Sequence, residues 1–423
     1  MKKYNFPILI ILPLILFFSS CEDKEPTRDS IYSFVNETMH SLYLWYDEVP
    51  EVNYSHYNDP SDLLDDLMVP IDKWSFIDLT SNVEDLFEEG NYFGLGFYFR
   101  FDSDRENLYV AIIYENSTAY QQGIRKGDRI IAIDGVMVQQ YTKYNALFDD
   151  SPGSYTFDIR DANQAYHKYT IEKETVAQNG VLFRDIYNAS GKSTGYLVYD
   201  SFLGYSENEL TESLQFFANS NIDELIIDLR YNGGGYVSLA EELANAIAPA
   251  NTVGQEMYQV VHNDEVGPML DTTVYFTESD LNLDLDQVIF ITSEFSASAS
   301  ELLINCLEPY MNVILVGSRT YGKPVGMYGL EHGKWLMFPV TNKTLNADGY
   351  GEYFDGLPVD FETGEGLSHP WGDVTDPALD QALHYISFGN FNQSIPPPIF
   401  DKSGKRNLQL ETKAKHPFLI LDK

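Results

Sequence analysis

The chain has 423 residues, 44% of them hydrophobic, which excludes a disordered polymer and leaves room for two or three separately packed domains. Its 27 basic and 64 acidic side chains leave a net charge of −37, which repels phosphate backbones and anionic lipid headgroups and argues against a nucleic-acid partner. The only cysteines are Cys21, close to the N-terminus, and Cys306, so no structural disulfide is expected.

The chain opens with Lys2 and Lys3, an apolar run over residues 6–18, Ser19 and Ser20, and then Cys21. A basic start, a short apolar stretch and small residues make a secretory signal, and the run falls short of the ~20 helical residues that span a bilayer. It resembles a bacterial lipoprotein signal, although Phe18 stands where an aliphatic residue is usual. The resemblance implies a signal peptide over 1–20, lipidation at Cys21, a solvated tether over 21–29, and an exported, lipid-anchored protein of the bacterial cell envelope.

From 31 to 45 apolar side chains recur at helical spacing (Ile31, Val35, Met39, Leu42, Trp45) up to Pro50, and Ser61 ahead of Leu63, Leu64 and Leu67 marks a second short helix. Residues 30–80 are therefore expected to form a small helical domain whose aromatics build its core. Over 81–174 the pattern changes to β-rich segments at 97–101, 108–113, 155–159 and 169–171, separated by polar turns. A helix-like segment over 117–122 leads into Gly123-Ile124-Arg125-Lys126-Gly127-Asp128-Arg129-Ile130-Ile131-Ala132-Ile133-Asp134-Gly135. Gly127-Asp128 turns the chain into a strand and Asp134-Gly135 ends it. This resembles a PDZ domain, and Gly94-Leu95-Gly96-Phe97 resembles the loop that binds a peptide's C-terminal carboxylate. Glycine-freed amides there would make an anion nest beside a strand edge able to pair with an extended peptide.

Residues 175–388 alternate strands (195–198, 224–228, 288–292, 313–316) with helices (207–218, 239–247, 300–310), the pattern of an α/β domain with much parallel pairing. Residues 389–423 carry Pro396-Pro397-Pro398 and then basic and polar residues, and read as a loosely attached tail.

Within the α/β region a buried strand runs into Ser293-Glu294-Phe295-Ser296-Ala297-Ser298-Ala299-Ser300-Glu301, and a helix begins whose apolar face is Leu303, Leu307 and Tyr310. Free amides and the helix dipole at such a junction favour a developing oxyanion. Ser296, Ser298 and Ser300 are all placed to use it, and serines at helix starts are more often caps than nucleophiles. Downstream, Lys323 sits in the constrained loop Gly322-Lys323-Pro324, where desolvation could lower its pKa toward ~7–8 and make it a general base.

Ser-Ala-Ser-Ala-Ser-Glu followed by Gly-Lys resembles the C-terminal processing (tail-specific) serine peptidases. So do Gly195-Tyr196-Leu197-Val198, Asp228-Leu229-Arg230-Tyr231-Asn232-Gly233-Gly234-Gly235 and Gly356-Leu357-Pro358-Val359-Asp360. The resemblance implies a crotonase/Clp-protease-like α/β core behind a PDZ module that presents polypeptide C-termini. It implies a Ser298–Lys323 dyad that hydrolyses peptide bonds through an acyl-enzyme, with the amides of Gly234 (Gly235 less so) and Ala299 as the oxyanion hole. Two positions depart from the family pattern: Gly233 replaces a frequent proline, and Met327 replaces the glutamine that orients the lysine. A thioether is a weak acceptor and no donor, so the rival expectation is a peptide-binding lipoprotein with weak or no turnover. The eight histidines show no H-E-x-x-H pattern, C-x-x-C is absent, and Gly322-Lys323-Pro324 lacks the Ser/Thr of a phosphate loop, so neither metal nor cofactor is expected.

Overall fold

The computed structural model describes residues 28–149, 151–393 and 418–420. The signal sequence and Cys21 lie outside the described residues. The helix Arg28–Met39 packs Ile31, Val35 and Met39 against Leu63, Leu64 and Leu67 of the helix Pro60–Leu67. The second helix is capped by Asp59, whose Oδ1 accepts the Ser61 amide at 2.9 Å, so the cap falls two residues before the serine that marked it in the sequence. This N-terminal region does not close a core of its own. Its cluster runs on into Val325, Met327, Met337, Phe338 and Val340, and the strand Phe76–Leu79 pairs antiparallel with Trp335–Phe338.

Residues 91–177 form the expected β domain. Phe97–Phe101, Leu108–Ile113, Arg129–Ile133, Ser154–Arg160 and Tyr166–Glu172 make an antiparallel sheet in chain order, around Phe97, Phe99, Val110, Ile130 and Phe157. Ser117 caps the helix Thr118–Gln122, and Gly123, at φ +112, ends it in the left-handed conformation that glycine adopts without strain.

The main domain is built on the sheet Val181–Ala189, Lys192–Tyr199, Glu224–Asp228, Gln287–Thr292, Asn312–Gly317 and Phe361–Glu362, antiparallel in its first pair and parallel thereafter. Near-continuous apolar strands such as Val288-Ile289-Phe290-Ile291 fit a sheet covered on both faces. The helices Glu207–Ser220, Val237–Ile247 and Ala299–Leu307 cover one face and Pro377–Phe388 the other.

A second sheet, in the order Gly234–Tyr236, Phe418–Ile420, Val325–Met327, Val340–Asn346, Glu256–His262 and Thr272–Tyr275, was not foreseen. It includes part of the segment read as a loose tail: the backbone of Phe418–Ile420 is a strand paired on both sides.

An ionic seam, buried at Arg100 and open to solvent at Glu294, joins the β domain to the core. Arg100 pairs with Glu294 at 3.0 Å and Glu365 at 2.5 Å, and the Lys126 amine donates to the carbonyls of Gly366, at 3.2 Å, and His369. Arg230 binds Asp228 at 2.6 Å and Asp376 at 3.0 Å beside them.

Candidate active site

Three loops leave the C-terminal ends of adjacent parallel strands, where open α/β sheets gather their chemistry. The glycine loop follows Glu224–Asp228, the serine turn follows Gln287–Thr292, and the lysine loop follows Asn312–Gly317.

In the serine turn the three candidates separate by their partners. Ser296 Oγ donates to the Leu229 carbonyl at 2.7 Å, and Ser300 Oγ donates to the Asn232 carbonyl at 3.1 Å. Both hydroxyls serve to hold the turn against the glycine loop, helped by the Ala297 amide, which donates to Asn232 O at 3.1 Å. The Ser298 hydroxyl is buried and has no hydrogen-bond partner among the described residues. Ser298 adopts φ 64°, ψ −113° immediately before the helix Ala299–Leu307. A non-glycine residue held in such a region costs ~1–3 kcal/mol, which the surrounding hydrogen bonds must offset.

Glu301 supplies much of that restraint. One of its oxygens, Oε2, accepts the Ser298 amide at 2.9 Å and the Lys323 amide at 2.8 Å, so the two backbone nitrogens lie at most 5.7 Å apart, the sum of those distances. The other oxygen accepts from Gly322 N at 2.7 Å and Thr320 Oγ1 at 2.5 Å. The carboxyl is wholly buried, and burial holds its pKa above the ordinary range against these hydrogen bonds. A glutamate three residues after a serine at a helix start is the capping-box spacing, the local signal by which Glu301 could have been singled out in the sequence.

The Lys323 side chain is 0% exposed. Burial pushes its pKa down to about 7, against the upward pull of Asp72 and Glu301. Its Nζ lies 3.8 Å from Met327 Sδ, so the thioether that replaces glutamine is in contact with the amine. A neutral amine can direct an N–H at that sulfur and keep its lone pair for another partner. Asp72 comes from the N-terminal region, where Tyr43 Oη, the Trp74 and Ser75 amides and the Ser75 hydroxyl all donate to it. No local pattern in the sequence pointed to it.

The remaining expected residues take these places. Gly234 and Gly235 have φ +99° and +147°, and a Cβ on Gly235 would sit 2.1 Å from the Phe202 carbonyl oxygen, so only glycine fits there. The Gly234 amide donates to Asn232 Oδ1 at 2.9 Å, while Ala299 is buried as the first residue of its helix. Gly94, Leu95, Gly96 and Phe97 are all buried. Gly96, at φ +82°, lies against Ser117 and accepts the Tyr114 amide at 3.0 Å, and Tyr98 and Tyr114 pack with Tyr231 and Leu367 of the core.

Fold and site together define an α/β protein of the Clp-protease-like class that carries a PDZ domain and an N-terminal helical region. Profiles of peptidase family S41, of the S41 N-terminal domain and of the PDZ domain match residues 193–362, 30–76 and 109–160 respectively. The chain belongs to peptidase family S41. It is 24% identical over 258 residues to a carboxyl-terminal-processing protease of Synechocystis, covering 60% of this chain and 58% of that one. It is 24% identical over 291 residues to carboxyl-terminal-processing peptidase 1 of Arabidopsis thaliana chloroplasts, covering 65% of this chain and 58% of that one. The match therefore spans less than two thirds of either relative's length. Among solved structures, a provisionally assigned S41 protease from Bacteroides fragilis superposes with a TM-score of 0.70 at 23% identity, covering 84% of this chain and 97% of that one. The photosystem II D1 C-terminal processing protease gives a TM-score of 0.50 at 16% identity, covering 84% of this chain and all of the other. These likenesses establish a shared fold.

Proposed function

We propose that this chain is a serine endopeptidase that acts on polypeptide C-termini, with Ser298 as nucleophile and Lys323 as general base. The observation that carries the reading is a lysine whose amine is buried, with burial lowering its pKa to about 7, and whose backbone amide shares one Glu301 oxygen with the backbone amide of a strained serine with an uncommitted hydroxyl. Neutral Lys323 takes the Ser298 proton as Oγ attacks the scissile carbonyl. The oxyanion forms at the start of the helix, against the amide of Ala299 and one from the glycine loop. Gly234 can supply that second amide once Asn232 Oδ1 releases it. The leaving amine takes the proton from Lys323, an ester to Ser298 remains, and the neutral amine then activates water to hydrolyse it.

Gly94-Leu95-Gly96-Phe97 would bind the free carboxylate of the substrate. Leu95 and Phe97 are buried in the β domain's own core and Gly96 lies against Ser117, so the loop would offer backbone amides rather than side chains to that carboxylate.

We place the protein at the exported face of a bacterial membrane, anchored by lipid on Cys21. Intact mass of the membrane-extracted protein should show a diacylglycerol-modified N-terminus, absent in Cys21→Ser.

The decisive test of the peptidase reading is cleavage of a flexible polypeptide by the purified protein. Ser298→Ala and Lys323→Ala should each abolish it, and a serine-directed covalent probe should label the native chain but not Ser298→Ala. Undiminished cleavage by both variants would remove the dyad. C-terminal peptide binding without labelling or turnover would leave a receptor.

A further inference from the structure

The strand Phe418–Ile420 lies between two strands that carry the candidate site. Phe418, Leu419 and Ile420 stand opposite Gly234, Gly235 and Tyr236 in parallel register, and Ile420 also stands opposite Met327. Gly234 opens the glycine loop's strand, and Met327 is the residue whose sulfur touches the Lys323 amine. The serine turn is tied to the same loop through Asn232 O. The chain's own tail thus runs between the walls of the site as a paired strand.

We propose that this tail is a built-in occupant of the substrate cleft, an intrasteric inhibitor that must leave before another polypeptide can enter. The inference rests on the peptidase reading in treating the cleft as the place where substrate binds. Two further observations favour reversible self-occupancy over a permanent structural strand.

The insertion is short, with three paired residues and Pro417 immediately before them, so the backbone contribution is small enough to be lost readily. Charge also matches, because residues 401–423 hold six basic and three acidic side chains whereas the whole chain has a net charge of −37. A basic, apolar-tipped segment is drawn to an acidic body by a long-range attraction that salt weakens.

The occupied fraction reduces apparent affinity for any competing chain in proportion to the fraction left open. If the cleft is open about a tenth of the time, releasing the tail raises apparent affinity about tenfold. The test uses the full chain with Leu419→Pro, which removes a backbone N–H from the strand and cannot sit in a central ladder. A fluorescein-labelled synthetic peptide of residues 412–423 is titrated by polarisation into Ser298→Ala and into Ser298→Ala/Leu419→Pro. The peptide is expected to bind the double variant several-fold more tightly, and its own Leu419→Pro version is expected not to bind. Equal affinity in the two proteins, or no binding to either, overturns self-occupancy whether or not the protein hydrolyses anything. In the Ser298 background, Leu419→Pro should lower KM for a flexible polypeptide and leave kcat unchanged. A loss of thermal stability with KM unmoved would mark the strand as structural and defeat the proposal. If the peptide binds as expected but no substrate is cleaved, the peptidase reading fails and the tail's occupancy stands.

Discussion

Replacing Lys323 by Met should stabilise the protein by an amount that shrinks as pH rises. The amine is fully buried, with a pKa lowered from 10.5 to about 7, chiefly by desolvation. A lysine whose folded pKa lies below its unfolded value binds fewer protons when folded, so stability rises with pH between the two values. Below pH 7 both states are protonated and the full cost is present, on the order of 5 kcal/mol at 1.36 kcal/mol per pH unit. At pH 8 the cost is about 3 kcal/mol, and above 10.5 it vanishes. Methionine fills similar space with no charge to desolvate, so the gain over wild type should follow that decline. Urea denaturation of both proteins at pH 6, 8 and 10, followed by tryptophan fluorescence, gives the difference directly, and comparison at each pH removes the response of the many surface carboxylates. In parallel, kcat/KM of the wild type should rise with pH through a midpoint near 7 as the amine loses its proton. A stability difference that is flat across the three pH values would refute a neutral buried amine, and the base assignment with it.

Other substitutions bear on the same frame. Glu301→Gln swaps one acceptor oxygen for a donor facing backbone N–H groups and should cost roughly 2–3 kcal/mol of stability, with at least a hundredfold loss of kcat; a near-wild-type rate would deny it the positioning role. Asp72→Asn removes a charge that holds the Lys323 pKa up, so the rising limb of the pH–rate profile should move to lower pH, and a move to higher pH would contradict the geometry. Met327→Gln gives the amine a strong carbonyl acceptor that favours its charged form, so the same limb should move to higher pH by roughly half a unit or more. Arg230→Met leaves Asp228 and Asp376 buried without their cation and should destabilise the protein by about 3–5 kcal/mol, measured by urea midpoint; a loss under 1 kcal/mol would mean the seam is not a coupled ionic unit.

The parallel strands were legible because a sheet buried on both faces writes itself as unbroken apolar runs, as at residues 225–227 and 288–291. The PDZ turns were legible through Gly123, Gly127 and Asp134-Gly135, whose backbones have positive φ. The second sheet escaped notice because Val340–Asn346 buries Thr341, Asn342, Thr344 and Asn346, polar residues whose pattern reads as a loop when no partner strand is in view. In the site, Ser296, Ser298 and Ser300 stay equivalent in sequence chemistry, and only the carbonyls of Leu229 and Asn232, brought in by another loop, tell them apart. Asp72 could not have been found locally, since its bearing on Lys323 is created by tertiary packing. The tail strand is too short to carry a period, and its pairing depends on an opening made by residues far away in the chain.

The hydrophobic cluster shared by Met39, Tyr43, Trp74, Met327 and Phe338 has a further consequence for biogenesis. The apolar shelter that lowers the lysine pKa joins residues 39–74 to residues 327–338, a long-range closure that forms slowly. Until both halves have docked, the amine remains hydrated and charged, so on the proposed reading an incompletely folded chain carries no general base.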